Sequence, residues 1–545
     1  MVKPRQHLFS FVPDVLSVGL ILGALGALWR FFLVDQRPPM DLGHYFDALP
    51  DAWRAWGELD LQGLVDLALH AGGLYNLALG LLARVLGRSP ALIECVEVFW
   101  LALLLFAMWG CARRLGGPWA GTVTLALAAA MPVMHTGARS HWIHFPEAAL
   151  LMVALWFWVR DPTLEGRLSR VGLCAALALG FCLRPTALLF GLPLLALAGS
   201  MAQPRSRIFL PASSLLAALL VLLPSLPEYI QGKSVIREVY AEVVAPLGPS
   251  LLEHSYLLPG GAVLLGVALL PLVARSRLRE RPLWLLATWV TMGLCLCAFF
   301  HVGPDNFPLM FLGAAMVAAQ GLAMPGSAGW RRWAKPAAGL SLVALAALSM
   351  VTPFLLEQYA MPFTGVLGRK VVSLEPRHYQ RPQVQAVTLD AIRPLLDQVC
   401  KWSDDTCTVL ASRGLVNFNR EDDLSLACFL DGRDDLVLHN AGQFFFLTDI
   451  ESDDAVEGLM VLECPHAAPE PDNLFTERER ALEAMVAALD VSFIQRLYAP
   501  LRCSFNVYRV DEPDPQQALE DFWLEYPWVH SGPKSRPAKG HPQRR

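Results

Sequence analysis

The chain has 545 residues, 54% of them hydrophobic and only 17% charged, with a formal net charge of −5 and a mean hydropathy of +0.40. Soluble globular domains carry roughly 25% charged residues, so this composition excludes a single soluble domain, and the negative balance argues against a nucleic-acid binder. Long apolar runs fill the region up to about residue 355, while charges are frequent from about 370 onward, which predicts a bilayer-embedded part followed by an aqueous part.

The first apolar run, from Val15 to Val34, follows Lys3 and Arg5 and is long enough to cross a hydrocarbon core of about 30 Å. It exceeds a signal-peptide core and no small-x-small cleavage site follows, so it reads as a retained first span. Further spans are expected at about 91–111, 118–135, 143–159, 171–184, 185–200, 208–226, 256–274, 283–301, 306–324 and 336–355, about eleven in all. With the N-terminus inside, alternate connections hold Arg113 and Arg114; Arg160, Arg167 and Arg170; Arg205 and Arg207; Arg275, Arg277, Arg279 and Arg281; and Arg331, Arg332 and Lys335. This is a positive-inside pattern, and an odd span count places everything after residue 356 outside. The pattern requires the stretch 171–200 to be two short spans hinged at Arg184-Pro185. The expected location is a bacterial-type inner (cytoplasmic) membrane, with a cytoplasmic N-terminus and an extracytoplasmic C-terminal domain.

Polar residues gather on the external side. The loop 35–89 is long for a membrane connector and opens with Asp41, His44, Tyr45 and Asp47; its segment Leu61 to Leu86 is apolar with polar interruptions, as in helices that lie along an interface. A second cluster, His135 to Glu147, contains Arg139, His141 and His144, and Glu147 opens the fourth span. An ionisable residue at membrane depth costs at least about 2.5 kcal/mol at a helix centre, so it marks function by default; the alternative is a carboxylate placed favourably at a helix N-terminus after Pro146. Arg184 lies just outside a span, either as a functional cation or as a snorkelling structural arginine. Lys233 and Arg237 lie in the external loop 227–256, and His301 opens an external turn. Acids, histidines and arginines on one face suit the binding of a phosphate-bearing lipid headgroup beside an activated nucleophile.

Residues 356–530 are expected to form a small α/β domain. Helices are predicted at Ala386 to Cys400 and Phe475 to Leu489, with strands at Thr408 to Ala411, Leu436 to His439, Val456 to Glu463 and Phe505 to Val510. Five cysteines lie in this region, and Cys400 with Cys407 is the nearest pair in sequence; an oxidising compartment permits disulfides there. Asp404-Asp405 and Asp422-Asp423 read as solvated turns. The tail 531–545 is basic and Pro-rich, the composition of a disordered segment.

Three stretches together resemble the polyprenol-phosphate-sugar glycosyltransferases of the GT-C fold, the group that includes protein O-mannosyltransferases and aminoarabinose transferases. The first is Asp41 to Tyr45, at the place of the family's acidic motif. The second is His70-Ala71-Gly72-Gly73-Leu74-Tyr75 with Leu86-Gly87-Arg88-Ser89, similar to an interfacial His-Pro-Pro-Leu-Tyr helix and a Phe-Gly-x-Ser entry to span two. The third runs from Arg113-Arg114-Leu115-Gly116-Gly117 through Arg139 and Pro146-Glu147 to Leu183-Arg184-Pro185-Thr186. The chain departs from the family at Leu42, where a second acid is usual, at Gly72-Gly73 in place of Pro-Pro, and at His301 to Pro308, which lacks the family's arginine.

The resemblance implies a helical membrane domain (residues 1–355), with an active site at the outer bilayer face and the α/β domain appended. It implies transfer of a sugar from a polyprenyl-phosphate-linked donor to a lipid, glycan or protein acceptor by a single inverting displacement. Asp41 would be the general base, with Asp47 as the alternative, and Glu147 the second carboxylate. Arg184, Arg139 and Lys233 or Arg237 would stabilise the leaving phosphate. His44 and His141 would assist at the phosphate or a divalent metal, on which the sequence is open. Competing readings are a transporter or flippase of lipid-linked glycans, and a catalytically degenerate GT-C scaffold. A transporter should show internal repeats and midplane polar groups; no repeat is evident, and the ionisable groups collect at one interface.

Overall fold

The computed structural model describes residues 5–34, 49–69, 73–129, 134, 138, 144–184, 186–204, 281–300, 308–323 and isolated helical residues between 337 and 347. Beyond these it describes 362–364, 370–373, 394–400 without 396, 407–411, 432, 436–440, 456–463, 486–498 and 504–511. The expected spans at 208–226 and 256–274, most of that at 336–355, and the basic tail lie outside the described residues.

The described helices are α1 (Arg5–Val34), α2 (Leu49–Glu58), α3 (Leu61–Leu69), α4 (Gly73–Leu86), α5 (Pro90–Gly116), α6 (Pro118–Ala129), α7 (His144–Arg160), α8 (Arg167–Leu183), α9 (Thr186–Met201), α10 (Arg281–Phe300) and α11 (Pro308–Ala323). Each expected span within the described residues coincides with a helix. Among the described residues, two stretches, Phe11–Arg30 and Ala91–Gly116, are long and apolar enough to cross a bilayer by themselves; Tyr75–Leu86, Pro118–Ala129, Thr186–Met201, Pro282–Leu296 and Pro308–Gln320 are shorter apolar helices. The chain folds as two compact units: residues 1–34, 55–79 and 93–382 form one, and residues 35–54, 80–92 and 383–545 form the other.

In the first unit the helices pack through a continuous apolar core containing Trp158, Trp289, Phe145, Phe181 and Phe311. Its polar contacts close helix–helix seams. Thr122 of α6 donates to the Pro13 carbonyl of α1 at 2.8 Å and lies 3.0 Å from the Ser17 hydroxyl; Trp289 of α10 donates to the Phe190 carbonyl of α9 at 2.8 Å. Such bonds substitute for the hydrophobic drive that helices lack inside lipid. The turn between α5 and α6 shows why its sequence is Gly116-Gly117. Gly117 has φ +88°, a left-handed conformation that glycine alone adopts freely. A Cβ on Gly116 would collide with the Gln320 amide, which donates to the Ala112 carbonyl at 3.2 Å and ties α11 to α5. At the same end of α5, Arg113 pairs with Asp14 of α1 at 2.8 Å.

The first unit also contains a short antiparallel hairpin, β1 (Pro362–Thr364) with β2 (Lys370–Ser373). The second unit contains a five-stranded mixed sheet of β3 (Cys407–Ala411), β4 (Leu436–Asn440), β5 (Val456–Glu463), β6 (Val491–Tyr498) and β7 (Ser504–Val510), in the order β4-β3-β5-β7-β6. β3 runs parallel to both β4 and β5, while β7 is antiparallel to β5 and to β6. Residues 394–395 and 397–399 are helical. The Val399 side chain occupies the space where a Cβ on Gly458 of β5 would stand, which explains a glycine in mid-strand. A disulfide joins Cys400 to Cys407 at the start of β3, the pair nearest in sequence.

β6 was not expected from the sequence. Its pairing skips a residue between Phe493 and Gln495, and a bulge of this kind breaks the period-two alternation by which a strand is recognised. Within the predicted helices at 386–400 and 475–489, the described residues 394–395, 397–400 and 486–488 are helical, and the chain bends at Leu489.

Candidate functional site

Helices α7 and α8 have 17 residues each and are joined by a tight turn. In that turn Asp161 accepts from the Gly166 amide at 2.7 Å. An antiparallel pair of equal length brings the start of the first helix level with the end of the second, so His144 and Glu147 meet the residue that ends α8. That residue is Arg184, whose φ of −159° and ψ of 139° are extended, because a residue before proline is pushed out of the helical region. α9 then starts at Thr186, returning beside the same end.

The result is a buried polar constellation at three helix ends. Arg184 Nη1 lies 3.2 Å from His144 Nε2 and 3.6 Å from Glu147 Oε2. The Thr186 hydroxyl lies 3.1 Å from both oxygens of Glu147. His144 and Glu147 are 5% exposed and Arg184 is 8% exposed. A guanidinium only donates, so Nε2 of His144 accepts and the ring is neutral, with its proton on Nδ1. Glu147 stands in the first turn of α7, at the positive end of that helix, and Arg184 follows the negative end of α8; both dipoles favour the charges they face. Both contacts of Arg184 among the described residues use Nη1, so its remaining N–H groups are the ones that can address a further anion. A carboxylate held between a hydroxyl and a guanidinium can orient a nucleophile or receive a proton, and the guanidinium can neutralise a leaving anion.

Of the residues singled out in the sequence, the structure therefore brings Glu147, Arg184 and His144 together. Asp41, His44, Tyr45, Asp47, Arg139, His141, Lys233, Arg237 and His301 lie outside the described residues. Among the described residues no group of three or more His, Cys, Asp or Glu side chains is placed to hold a metal ion.

Two further features escaped the sequence reading. Thr186 was quoted only as part of a motif, and its part in the site follows from the turn at Arg184. Glu97, seven residues into α5, is fully buried and acts electrostatically on Tyr75, whose hydroxyl accepts from Trp100 Nε1 at 3.1 Å. Two acids, Glu94 and Glu97, near the start of an otherwise apolar helix of 27 residues were a legible signal. One turn further along the same face of α5, Leu101 and Leu105 line an apolar cavity with Ala24 and Leu28 of α1 and Ala129 of α6.

Comparison with known proteins agrees with this architecture. Residues 73–230, which include all four residues of the constellation, match the family described as dolichyl-phosphate-mannose-protein mannosyltransferase. No curated relative matches the chain in sequence. Among solved structures, ArnT from Cupriavidus metallidurans bound to undecaprenyl phosphate superposes with a TM-score of 0.50 at 12% identity, covering 91% of this chain and 98% of that one. The apo state of the same protein gives 0.48 at 14% identity, covering 91% and 97%. The arabinofuranosyltransferase AftD from Mycobacteria gives 0.46 at 15% identity, covering 91% of this chain and 40% of its own. The chain thus has the fold of a multi-pass membrane protein, and it resembles the GT-C polyprenol-phosphate-sugar glycosyltransferases both in the motifs of its first two hundred residues and in architecture.

Proposed function

We propose that this protein is a membrane glycosyltransferase that moves a sugar from a polyprenyl-phosphate-linked donor to a lipid, glycan or protein acceptor at the extracytoplasmic face. The observation that carries the reading is the buried Glu147–Arg184 pair with His144 and Thr186, set at coincident helix ends. Burying a carboxylate and a guanidinium together is costly even when they are paired, and a constellation of that cost inside the matched segment is what a charge-separating transfer requires. ArnT, which shares the fold, was solved with undecaprenyl phosphate bound.

In this mechanism Asp41 takes the proton of an acceptor hydroxyl, or orients an acceptor amine, as it attacks the anomeric carbon. The bond from that carbon to the phosphate oxygen breaks from the opposite side, inverting the centre, and polyprenyl phosphate leaves. Arg184, with Arg139 and Lys233 or Arg237, offsets the charge that gathers on the leaving phosphate. Glu147 holds the acceptor or the base in line. The disulfide between Cys400 and Cys407 supports an oxidising compartment for the C-terminal domain.

The test is transfer of labelled sugar from a panel of polyprenyl-phosphate donors, comparing the parent protein with Asp41→Asn and Glu147→Gln at matched expression. Loss of transfer in both variants, with donor still retained, is expected. Inactivity of the parent across the panel would remove the transferase reading; full activity of Asp41→Asn would remove only the assignment of the base.

A further inference from the structure

Helix α2 has 10 residues, short of the roughly 12–15 that an isolated helix needs in water, so its neighbours hold it. One of them is α4. A Cβ on Gly80 would stand 2.9 Å from the Ala52 carbonyl carbon and 3.0 Å from the Trp53 nitrogen, so the glycine is what lets the α2 backbone lie against α4. Trp56 Nε1 donates to the Leu77 carbonyl at 2.8 Å. Arg84, one turn beyond Gly80 and so on the same face of α4, has its Cζ 3.9 Å from the centroid of the Trp53 ring. Gly87, with φ +91°, ends the helix, and Arg88 comes over the same ring at 4.3 Å. Each guanidinium gains from the indole.

Arg88 also reaches the C-terminal domain. Gly432 precedes β4, which ends the mixed sheet, and its φ of +93° lies in the left-handed region that favours glycine. A Cβ there would stand 3.8 Å from Arg88 Nη2, the nearest atom among the described residues. Residues 35–54, 80–92 and 383–545 belong to one compact unit, so the start of α2 and the end of α4 pack with the domain that follows them by some three hundred residues. Leu49 and Ala52 of α2 are fully buried. The chain enters α2 from the segment that holds Asp41 and Asp47, and Asp47 stands two residues before Leu49.

We propose that the turn at Gly432 docks the C-terminal α/β domain on α2 and α4 through Arg88 and Trp53, and that the domain thereby fixes the point from which the Asp41–Asp47 segment is hung. Arg88 and Trp53 are then positioning residues, and the domain serves to place the base. The docking stands on the contacts alone, whereas the positioning role rests on the transferase reading.

The experiment is hydrogen-exchange mass spectrometry of the full-length protein in detergent, with transfer kinetics on the same preparations. Arg88→Ala should raise exchange about tenfold in the peptide over Leu49–Glu58 and in the peptide over Gly432, leaving β3 and β5 as in the parent. Gly432→Val, which strains the left-handed backbone and presses on the guanidinium, should raise exchange in the same two peptides, because coupling runs both ways. Arg54→Gln, which removes an exposed pair with Asp51 on α2, should change neither. In transfer, Arg88→Ala should lower kcat about tenfold at unchanged donor KM, and Arg88→Lys should recover most of it. Exchange raised in α2 alone would overturn the docking and leave Arg88 as a tie between helices. Exchange raised throughout the sheet would also overturn it, since the contact would then belong to the domain's core. A higher donor KM at unchanged kcat would overturn the positioning role. An inactive parent would remove the transferase reading and the positioning role together, with the exchange data still deciding the docking.

Discussion

Replacing Glu147 and Arg184 singly and together separates the structural from the chemical part of their pairing. At 3.6 Å and an effective dielectric constant of 20, the attraction between the two charges is about 4.6 kcal/mol. Glu147→Leu would leave Arg184, only 8% exposed, as a buried cation beside a neutral His144. Arg184→Met would leave Glu147 with the Thr186 hydroxyl as its partner. Each single variant should lose about 3–5 kcal/mol, read as a fall in the thermal unfolding midpoint in detergent. The double variant replaces a buried pair with apolar side chains of similar size, so most of that stability should return. Transfer activity, measured on the same preparations, should not: the loss of a preorganised charge at the leaving group costs at least about a hundredfold. A double variant that regains transfer together with stability would refute the chemical role and leave the pair as a structural tie between α7 and α8.

Other expected outcomes follow from individual contacts. Thr186→Val removes the donor to Glu147 at constant shape and should cost about 1.5–3 kcal/mol, whereas Thr186→Ser should retain most of the stability; unfolding in detergent reads both. Gly117→Ala should cost about 1–2 kcal/mol from backbone strain alone, since a Cβ there meets nothing, while Gly116→Ala should cost more because Gln320 must give way. Reducing the Cys400–Cys407 disulfide, which closes a loop of sequence separation 7, should destabilise the C-terminal domain by on the order of 2.5 kcal/mol; alkylation of the unreduced protein should leave both thiols unlabelled. The Asp511 carboxyl is held below the usual carboxylate range by a hydrogen bond from Ser492 and by Arg509, which donates to it at 2.6 Å. Its contribution is present above the unfolded value, about 3.9, and is lost as pH falls through the lower folded value. Asp511→Asn should therefore flatten the acid limb of the domain's stability profile below about pH 4.

Much of the architecture was legible in the residues because its causes are local. Hydropathy located the helices, since a segment facing lipid must be apolar along its whole length. The Arg184-Pro185 pair marked a helix boundary because proline acts on its own neighbour; α8 ends at Leu183 and α9 begins at Thr186. Glu147 was recognisable as an acid at the edge of an apolar run. The strand β6 was not legible, because its bulge between Phe493 and Gln495 hides the alternation. Glu97 was passed over beside the denser polar clusters, although the cost of burying it should have drawn notice.

The sequence by itself located the expected spans that the structure describes, the break at Arg184-Pro185 and four of the five strands of the mixed sheet, and it supplied the residue types capable of the chemistry. These depend on solvent preference and on neighbours along the chain, both of which are written in the order of residues. Only the tertiary structure decided that Glu147 meets Arg184 and His144, because that depends on two helices of 17 residues running antiparallel until their ends coincide. It alone decided that Thr186 donates to Glu147 across the hinge, that Gly116 makes room for Gln320 from 204 residues away in sequence, and that Arg84 and Arg88 both lie over the Trp53 ring. Each is a contact between segments whose sequences are indifferent to one another, and packing, not propensity, brings them together.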